Sequence, residues 1–265
     1  MFENVAEYSA ALKLQCRFLR KKADPDFWVA IDDFLEKYCS FYNISAEEAA
    51  RSIEKFNERY QADIGQFLRT GKYPYEIGDM DFELTRQEYD LFLISSMMFT
   101  GHRHAIGKWL YDLNISEGNK AFIGVGSGLE LKLVGATGEV TAFDLSISEF
   151  ARKSFSHVSF VEDYFVAEEK SLDVVYAIEI LEHVRDPFDL VATVATALKP
   201  GGIFYCSIAV NIPQFDHLLN MNDREFEKQI CSLFTIEEKV PVPHDYRLDD
   251  VGAHNILYAL KKKRA

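Results

Sequence analysis

Two short stretches of the chain hold residue types that can do chemistry. In "AIEILEHV", Glu179, Glu182 and His183 stand at i, i+3 and i+4, so a helical turn there would bring all three to one face. Two carboxylates and an imidazole in that grouping suit a divalent ion. They also read as a metal-free set, with Glu179 on a cofactor, Glu182 capping a turn and His183 orienting it. In "NIPQFDHLLNMNDREF", Asp216 precedes His217. An imidazole beside a carboxylate is poised to act as a base near neutral pH. Alternatively, Asp216 caps a helix that begins at His217. His183 and His217 are therefore the candidate catalytic residues. A third group, His102, Arg103 and His104, reads as helix-surface charge or as a contact to a bound ligand.

The stretch "AFIGVGSGLE" adds a binding signal. Gly124, Gly126 and Gly128 alternate directly after an apolar run. Glycine inside a strand or helix costs about 0.5–1 kcal/mol relative to alanine, so three in five residues imply a tight turn or a close approach of backbone to a ligand. A loop between a strand and its helix offers backbone N–H groups and a helix N-terminus. Asp144 lies 20 positions after Gly124, where a carboxylate can accept from both hydroxyls of a ribose. A dinucleotide and S-adenosylmethionine both suit these features. The spacing is GxGxG, with Leu129 where the dinucleotide fingerprint would carry a third spaced glycine.

The elements that must position these residues change character along the chain. Residues 1–112 are poor in glycine and proline and show apolar residues at helical spacing, as in Phe27, Ile31, Phe34, Leu35 and Tyr38. Ser45 followed by Glu48 predicts a capping box at a helix start. "TRQEYDLFLISSMMFTGHRHAIGKWLYDL" also suits helices, and the aromatic segment holding Tyr73, Tyr75 and Phe82 between them is a candidate lid or plain packing. Residues 113–265 alternate short apolar strands with helices. The strands fall at "KAFIGV", "EVTAFD", "VSFVE", "LDVVYAI" and "GIFYCSIAV", with a closing antiparallel pair at "FTIEEKVPV" and "NILYALKKK". Asp186-Pro187 opens a helix as cap and first-turn residue. Such alternation implies an α/β fold with a mostly parallel seven-stranded sheet covered on both faces.

"LDVVYAIEILEHV" followed by "LKPGGIFYCSI", together with the GxGxG loop and Asp144, resembles the core of class I S-adenosylmethionine-dependent methyltransferases over about residues 118–262. "EILEHV" is most similar to ubiquinone-biosynthesis-type O-methyltransferases and to small-RNA 2′-O-methyltransferases, in which similar motifs are associated with metal binding. The resemblance implies a Rossmann-like core and S-adenosylmethionine as methyl donor. Gly124, Gly126 and Gly128 would line its methionine and ribose portions. Asp144 would hold the ribose hydroxyls, Leu145 would pack on adenine, Asp163 would accept from the adenine amino group and Glu179 would touch the cofactor. Any metal would sit on Glu179, Glu182 and His183. One departure stands out: Phe122 occupies the position where the family often carries an acidic residue.

Composition narrows the partners. The formal charge of −13, from 42 acidic and 29 basic residues, repels phosphate backbones and disfavours general nucleic-acid binding. Four dispersed cysteines without a CxxC argue against a disulfide framework or zinc site, and no apolar run reaches the length of a membrane span. Composition thus suggests a cytoplasmic protein, and the resemblance implies an enzyme methylating oxygen or nitrogen of a small-molecule acceptor, with residues 1–112 as a substrate or lid domain. The rival readings are a metal-dependent RNA 2′-O-methyltransferase and, from Phe122, a non-catalytic cofactor-binding protein.

Overall fold

Side-chain caps set the helix starts of the first half. The computed structural model describes residues 1–113, 117–244 and 251–264. Helices α1 (Phe2–Ala6) and α2 (Ala10–Arg20) precede α3 (Pro25–Tyr42), where the Asp24 carboxylate accepts from the Asp26 and Phe27 amides and Pro25 occupies the first turn. In α4 (Ala46–Thr70) the expected capping box is formed. Ser45 Oγ accepts from the Glu48 amide at 3.2 Å, and the Glu48 carboxylate accepts from the Ser45 amide at 2.9 Å. Replacing Ser45 by Ala should cost about 1 kcal/mol, seen as a lower urea midpoint at unchanged slope. An unmoved midpoint would mean that helix packing alone fixes this start.

A single 3₁₀ turn, Pro74–Ile77, interrupts the aromatic segment. The next expected helical stretch divides into α5 (Arg86–Ser96) and α6 (Gly101–Asp112). The second half then runs β1 (Lys120–Ile123), α7 (Leu129–Leu133), β2 (Val140–Phe143), α8 (Glu149–Ser154), β3 (Ser159–Val161) and β4 (Leu172–Ala177). It continues through a 3₁₀ turn, Leu181–His183, to α9 (Pro187–Ala197), β5 (Leu198–Val210), α10 (Asp223–Ile230), β6 (Phe234–Pro243) and β7 (His254–Lys262). The sheet order is β3-β2-β1-β4-β5-β7-β6. The first five strands are parallel, and β7 lies antiparallel between β5 and β6. Strand order reverses between β1 and β4, the point where such sheets open a ligand crevice at the strands' carboxyl ends.

Phe122 has a structural role. It pairs in register with Tyr176, which pairs with Tyr205 on the next strand. The three rings stack, with centroids 4.4 and 5.3 Å apart, and Trp109 of α6 meets Tyr205 edge-on. An aromatic ladder of this kind ties three strands together across one face of the sheet.

That same face carries the N-terminal helices, so the change of texture near residue 112 is not a break in the core. One continuous buried cluster includes Phe34 and Tyr38 of α3, Phe56 of α4 and Phe122, Phe150 and Tyr176 of the second half. Phe34, Tyr38 and Phe41 all set their rings edge-on to Phe150. The opposite face is covered by α9 and α10, through Val191, Val194 and Phe226.

Some local details differ from the sequence reading. β5 starts at Leu198, ahead of the strand expected at "GIFYCSIAV", and Gly201 with φ of 85° absorbs the irregularity in its pairing with β4. No helix begins at His217; the chain stays irregular until Asn222, whose side chain accepts from the Glu225 amide and opens α10. Of the 73–82 aromatics, Tyr73 is buried against Phe67, and the half-buried Phe82 meets Phe215. No helix among the described residues is long and apolar enough to cross a membrane.

Candidate active site

A cavity of about 930 Å³ opens at the carboxyl ends of β1, β2 and β4. Its floor is the glycine loop. All three loop glycines have positive φ, and at Gly124 a Cβ would lie 1.8 Å from Ile180 Cδ1, so any other residue would hold a strained backbone and force the Ile180 side chain aside. Gly124 and Gly126 line the cavity. Gly128 does not; it caps α7, and a Cβ there would press on the Phe155 ring at 2.8 Å. Asp144, at the end of β2, accepts from the Gly126 amide at 2.7 Å and from the Ser146 amide at 2.9 Å. This pair of bonds holds the loop and the carboxylate in one unit. Leu145 and Asp163 are exposed at the same rim.

Glu179 follows β4 with φ of 55°, a left-handed conformation that non-glycine residues hold at a cost of about 1–3 kcal/mol. Its surroundings over-determine it. The Glu179 amide donates to Ser207 Oγ at 2.6 Å, while its carboxylate accepts from Ser207 Oγ and from Asn255 Nδ2. Arg103 Nη1 stands 3.5 Å from the same carboxylate. Thus Arg103, one of the two readings left open for the "HRH" segment, faces inward: His102 and Arg103 are both buried and both line the cavity.

Beside this lies a second polar group. Glu182, His183 and His217 each present a ligand atom within 4.8 Å of the others. Glu182 is fully buried and neither carboxylate oxygen has a partner among the described residues. His183 Nδ1 is 3.0 Å from the Asp216 carbonyl, and His217 Nδ1 is 2.8 Å from the Ile212 carbonyl. A carbonyl can only accept, so each Nδ1 carries a proton and each neutral ring keeps its Nε2 lone pair for a ligand. The composition of this triad differs from the sequence expectation. Glu179 is engaged elsewhere, and His217 supplies the third donor from the segment after β5.

Burial and charge tune these groups. Burial, reinforced by Glu179, pushes the Glu182 carboxyl up to about 8. Burial and the neighbouring His183 bring His217 down to about 4. Burial opposes the charge of His183, but Asp216 and Glu182 outweigh it and raise the imidazole. For Asp216, burial is outweighed by His183, His217 and the hydrogen bonds from Gln214 and Tyr89, which hold it below the ordinary carboxylate range.

The shift at Glu182 has a measurable sign. Its carboxyl ionises near 4.5 in the unfolded chain and near 8 in the folded, ion-free protein. Its contribution to stability is therefore intact below about pH 4.5 and is lost as pH rises towards 8. Glu182→Gln removes that dependence, so without divalent ions the melting temperature of the variant relative to wild type should climb across this window. A constant difference would show that native Glu182 is already ionised.

Sequence reasoning missed several lining residues. Arg86 and Tyr89 of α5 reach the cavity from the helical half, and Arg86 donates to the Ser146 carbonyl at 2.7 Å beside the glycine loop. Glu130, in the first turn of α7, lines it too, its carboxyl raised to about 7 by burial. The start of α5 is marked by a Thr85–Glu88 capping box, which fixes the phase of the helix and turns Arg86 and Tyr89 inward.

Comparison with known proteins agrees with this geometry. Residues 123–238 match the methyltransferase domain family. The chain is 33% identical over 111 residues to the ubiquinone biosynthesis O-methyltransferase of Hydrogenovibrio crunogenus, covering 37% of this chain and 46% of that protein. It is 29% identical over 129 residues to the Burkholderia multivorans enzyme of the same name, covering 48% and 56%. The chain thus spans about half the length of the relatives it matches. Two solved structures share the fold at a TM-score of 0.52. The N-methyltransferase NodS of Bradyrhizobium japonicum, in complex with S-adenosylhomocysteine, is 16% identical and covers 62% of this chain and 89% of its own. The 1,6-didemethyltoxoflavin-N1-methyltransferase of Burkholderia thailandensis is 18% identical, covering 69% and 93%. The family match covers less than half of this chain, and its second half has the fold of these two structures, with helices from the first half packed over one face of the sheet.

Proposed function

We propose that this protein transfers the methyl group of S-adenosylmethionine to a hydroxyl oxygen of a small-molecule acceptor. The observation that carries the reading is one cavity lined both by the Gly124–Asp144 unit and by Glu182, His183 and His217. The names of the ubiquinone biosynthesis relatives support oxygen over nitrogen. In this reading Gly124 and Gly126 face the methionine and ribose portions, and Asp144 accepts from the ribose hydroxyls. Leu145 and Asp163 flank adenine, and Glu179 touches the amino-acid end.

Methyl transfer is an in-line displacement. The acceptor oxygen bonds to the methyl carbon as the carbon–sulfur bond breaks and its electron pair returns to sulfur. The protein's tasks are alignment, exclusion of water and removal of the hydroxyl proton. The unpartnered Glu182 carboxylate and the two free Nε2 atoms fit a divalent cation, which would supply a lowered acceptor pKa. His217, held neutral near pH 7, offers a lone pair rather than a charge. Formation of S-adenosylhomocysteine should be measured against matched hydroxyl and amine acceptors. Turnover confined to the amines would overturn the choice of oxygen, and failure to bind S-adenosylhomocysteine would overturn the donor.

A further inference from the structure

The first helical hairpin has a surface unlike the rest of the protein. Residues 8–22 hold five basic side chains and no acidic one, whereas the remainder carries 42 acidic and 24 basic residues. Within that stretch α2 buries Leu12 and Cys16 against the protein and turns Leu14 and Phe18 outward. These two lie one helical turn apart and are 72% and 64% exposed, with Tyr8, just before the helix, at 58%. Helical phase sets Arg17 and Lys21 along one side of the Leu14–Phe18 ridge and Lys22 along the other. Lys22 Nζ lies 4.4 Å from the Phe18 ring centroid. Arg17, Lys21 and Lys22 make no ion pair among the described residues.

We propose that this face of α2 docks the protein on an anionic lipid surface. An apolar ridge edged by cations matches the boundary between headgroups and acyl chains: Leu14 and Phe18 enter it, and the long basic side chains stay at phosphate level. The charge arrangement selects this occupant. A symmetric pairing of two copies through the same face would oppose two sets of uncompensated cations. The acidic remainder does not cancel the attraction, because charges beyond about 8–10 Å are screened at physiological ionic strength. Instead it orients the molecule, with α2 towards the surface. Each basic residue near such a surface strengthens binding, and salt weakens it.

The test uses the full chain and vesicles of phosphatidylcholine containing roughly one third phosphatidylglycerol, the anionic lipid supplying the surface potential. Wild type should co-sediment with them and should bind pure phosphatidylcholine vesicles at least about tenfold more weakly, with binding falling as salt rises. Leu14→Asp with Phe18→Asp should abolish co-sedimentation, and Lys21→Glu with Lys22→Glu should lower it at least about tenfold at low salt. All four positions are exposed, so melting temperature and S-adenosylhomocysteine binding should stay at wild-type values, which confirms that folding is intact. Absence of wild-type binding, or undiminished binding by the Leu14/Phe18 variant, would overturn the proposal. So would a wild-type dimer that this variant converts to a monomer, since a second copy would then be what covers the ridge.

Discussion

Exhaustive chelation should lower methyl transfer to the hydroxyl acceptor by at least about hundredfold, and magnesium or manganese should restore it. A cation held by Glu182, His183 and His217 would lower the pKa of the acceptor hydroxyl, and a hundredfold loss corresponds to about 2.7 kcal/mol. Glu182 is the residue that calls for a cation. A fully buried carboxyl without a hydrogen-bond partner is costly, and here it stands beside two imidazoles whose Nδ1 protons are held by carbonyls. Those carbonyls belong to Asp216 and Ile212, so the segment after β5 orients both rings at once. His217→Ala should therefore show the same loss and should no longer respond to added manganese. Full turnover after chelation would leave the triad without a metal and return His183 and His217 to proton transfer.

Asp144→Ala should weaken S-adenosylhomocysteine binding by about 1.5–3 kcal/mol, roughly 10- to 150-fold, by calorimetry. The range is that of hydrogen bonds to a charged group. Two losses combine in this variant. In the proposed role the ribose hydroxyls would lose their acceptor, and the Gly126 amide, which donates to Asp144 at 2.7 Å, is released. Asp144→Asn keeps an acceptor for that amide and should recover part of the affinity. Binding of Asp144→Ala within about threefold of wild type would remove this residue from the ribose role.

Much of this was legible in the residues because local chemistry and tertiary demand coincide there. Glycines that alternate after a strand form a tight strand-to-helix turn with positive φ, and Asp-Pro opens a helix, both readable from local chemistry. The seven strands were readable for the same reason. Other features depend on where distant segments meet, which periodicity does not encode. Tyr73 is a packed aromatic because Phe67 happens to face it. Arg103 is a cavity residue because β4 places Glu179 opposite α6. His217 joins Glu182 and His183 only because residues 211–222 fold back as irregular chain, where the sequence also permits a capped helix. Phe122 broke the family pattern, and its register with Tyr176 and Tyr205 is the physical reason.

The helices α5 and α6 touch both halves of the reaction space. Arg86 grips the backbone beside the glycine loop and Arg103 faces Glu179, while Tyr89 of the same helix pair bonds to Asp216 in the segment that carries His217. The roof is therefore not an interchangeable part. A chimera that swaps residues 1–112 for those of another methyltransferase, with a new acceptor in mind, would also disturb the donor's side of the cavity. Substitutions at single positions facing the cavity, such as Phe92 or Leu93, would leave those contacts in place.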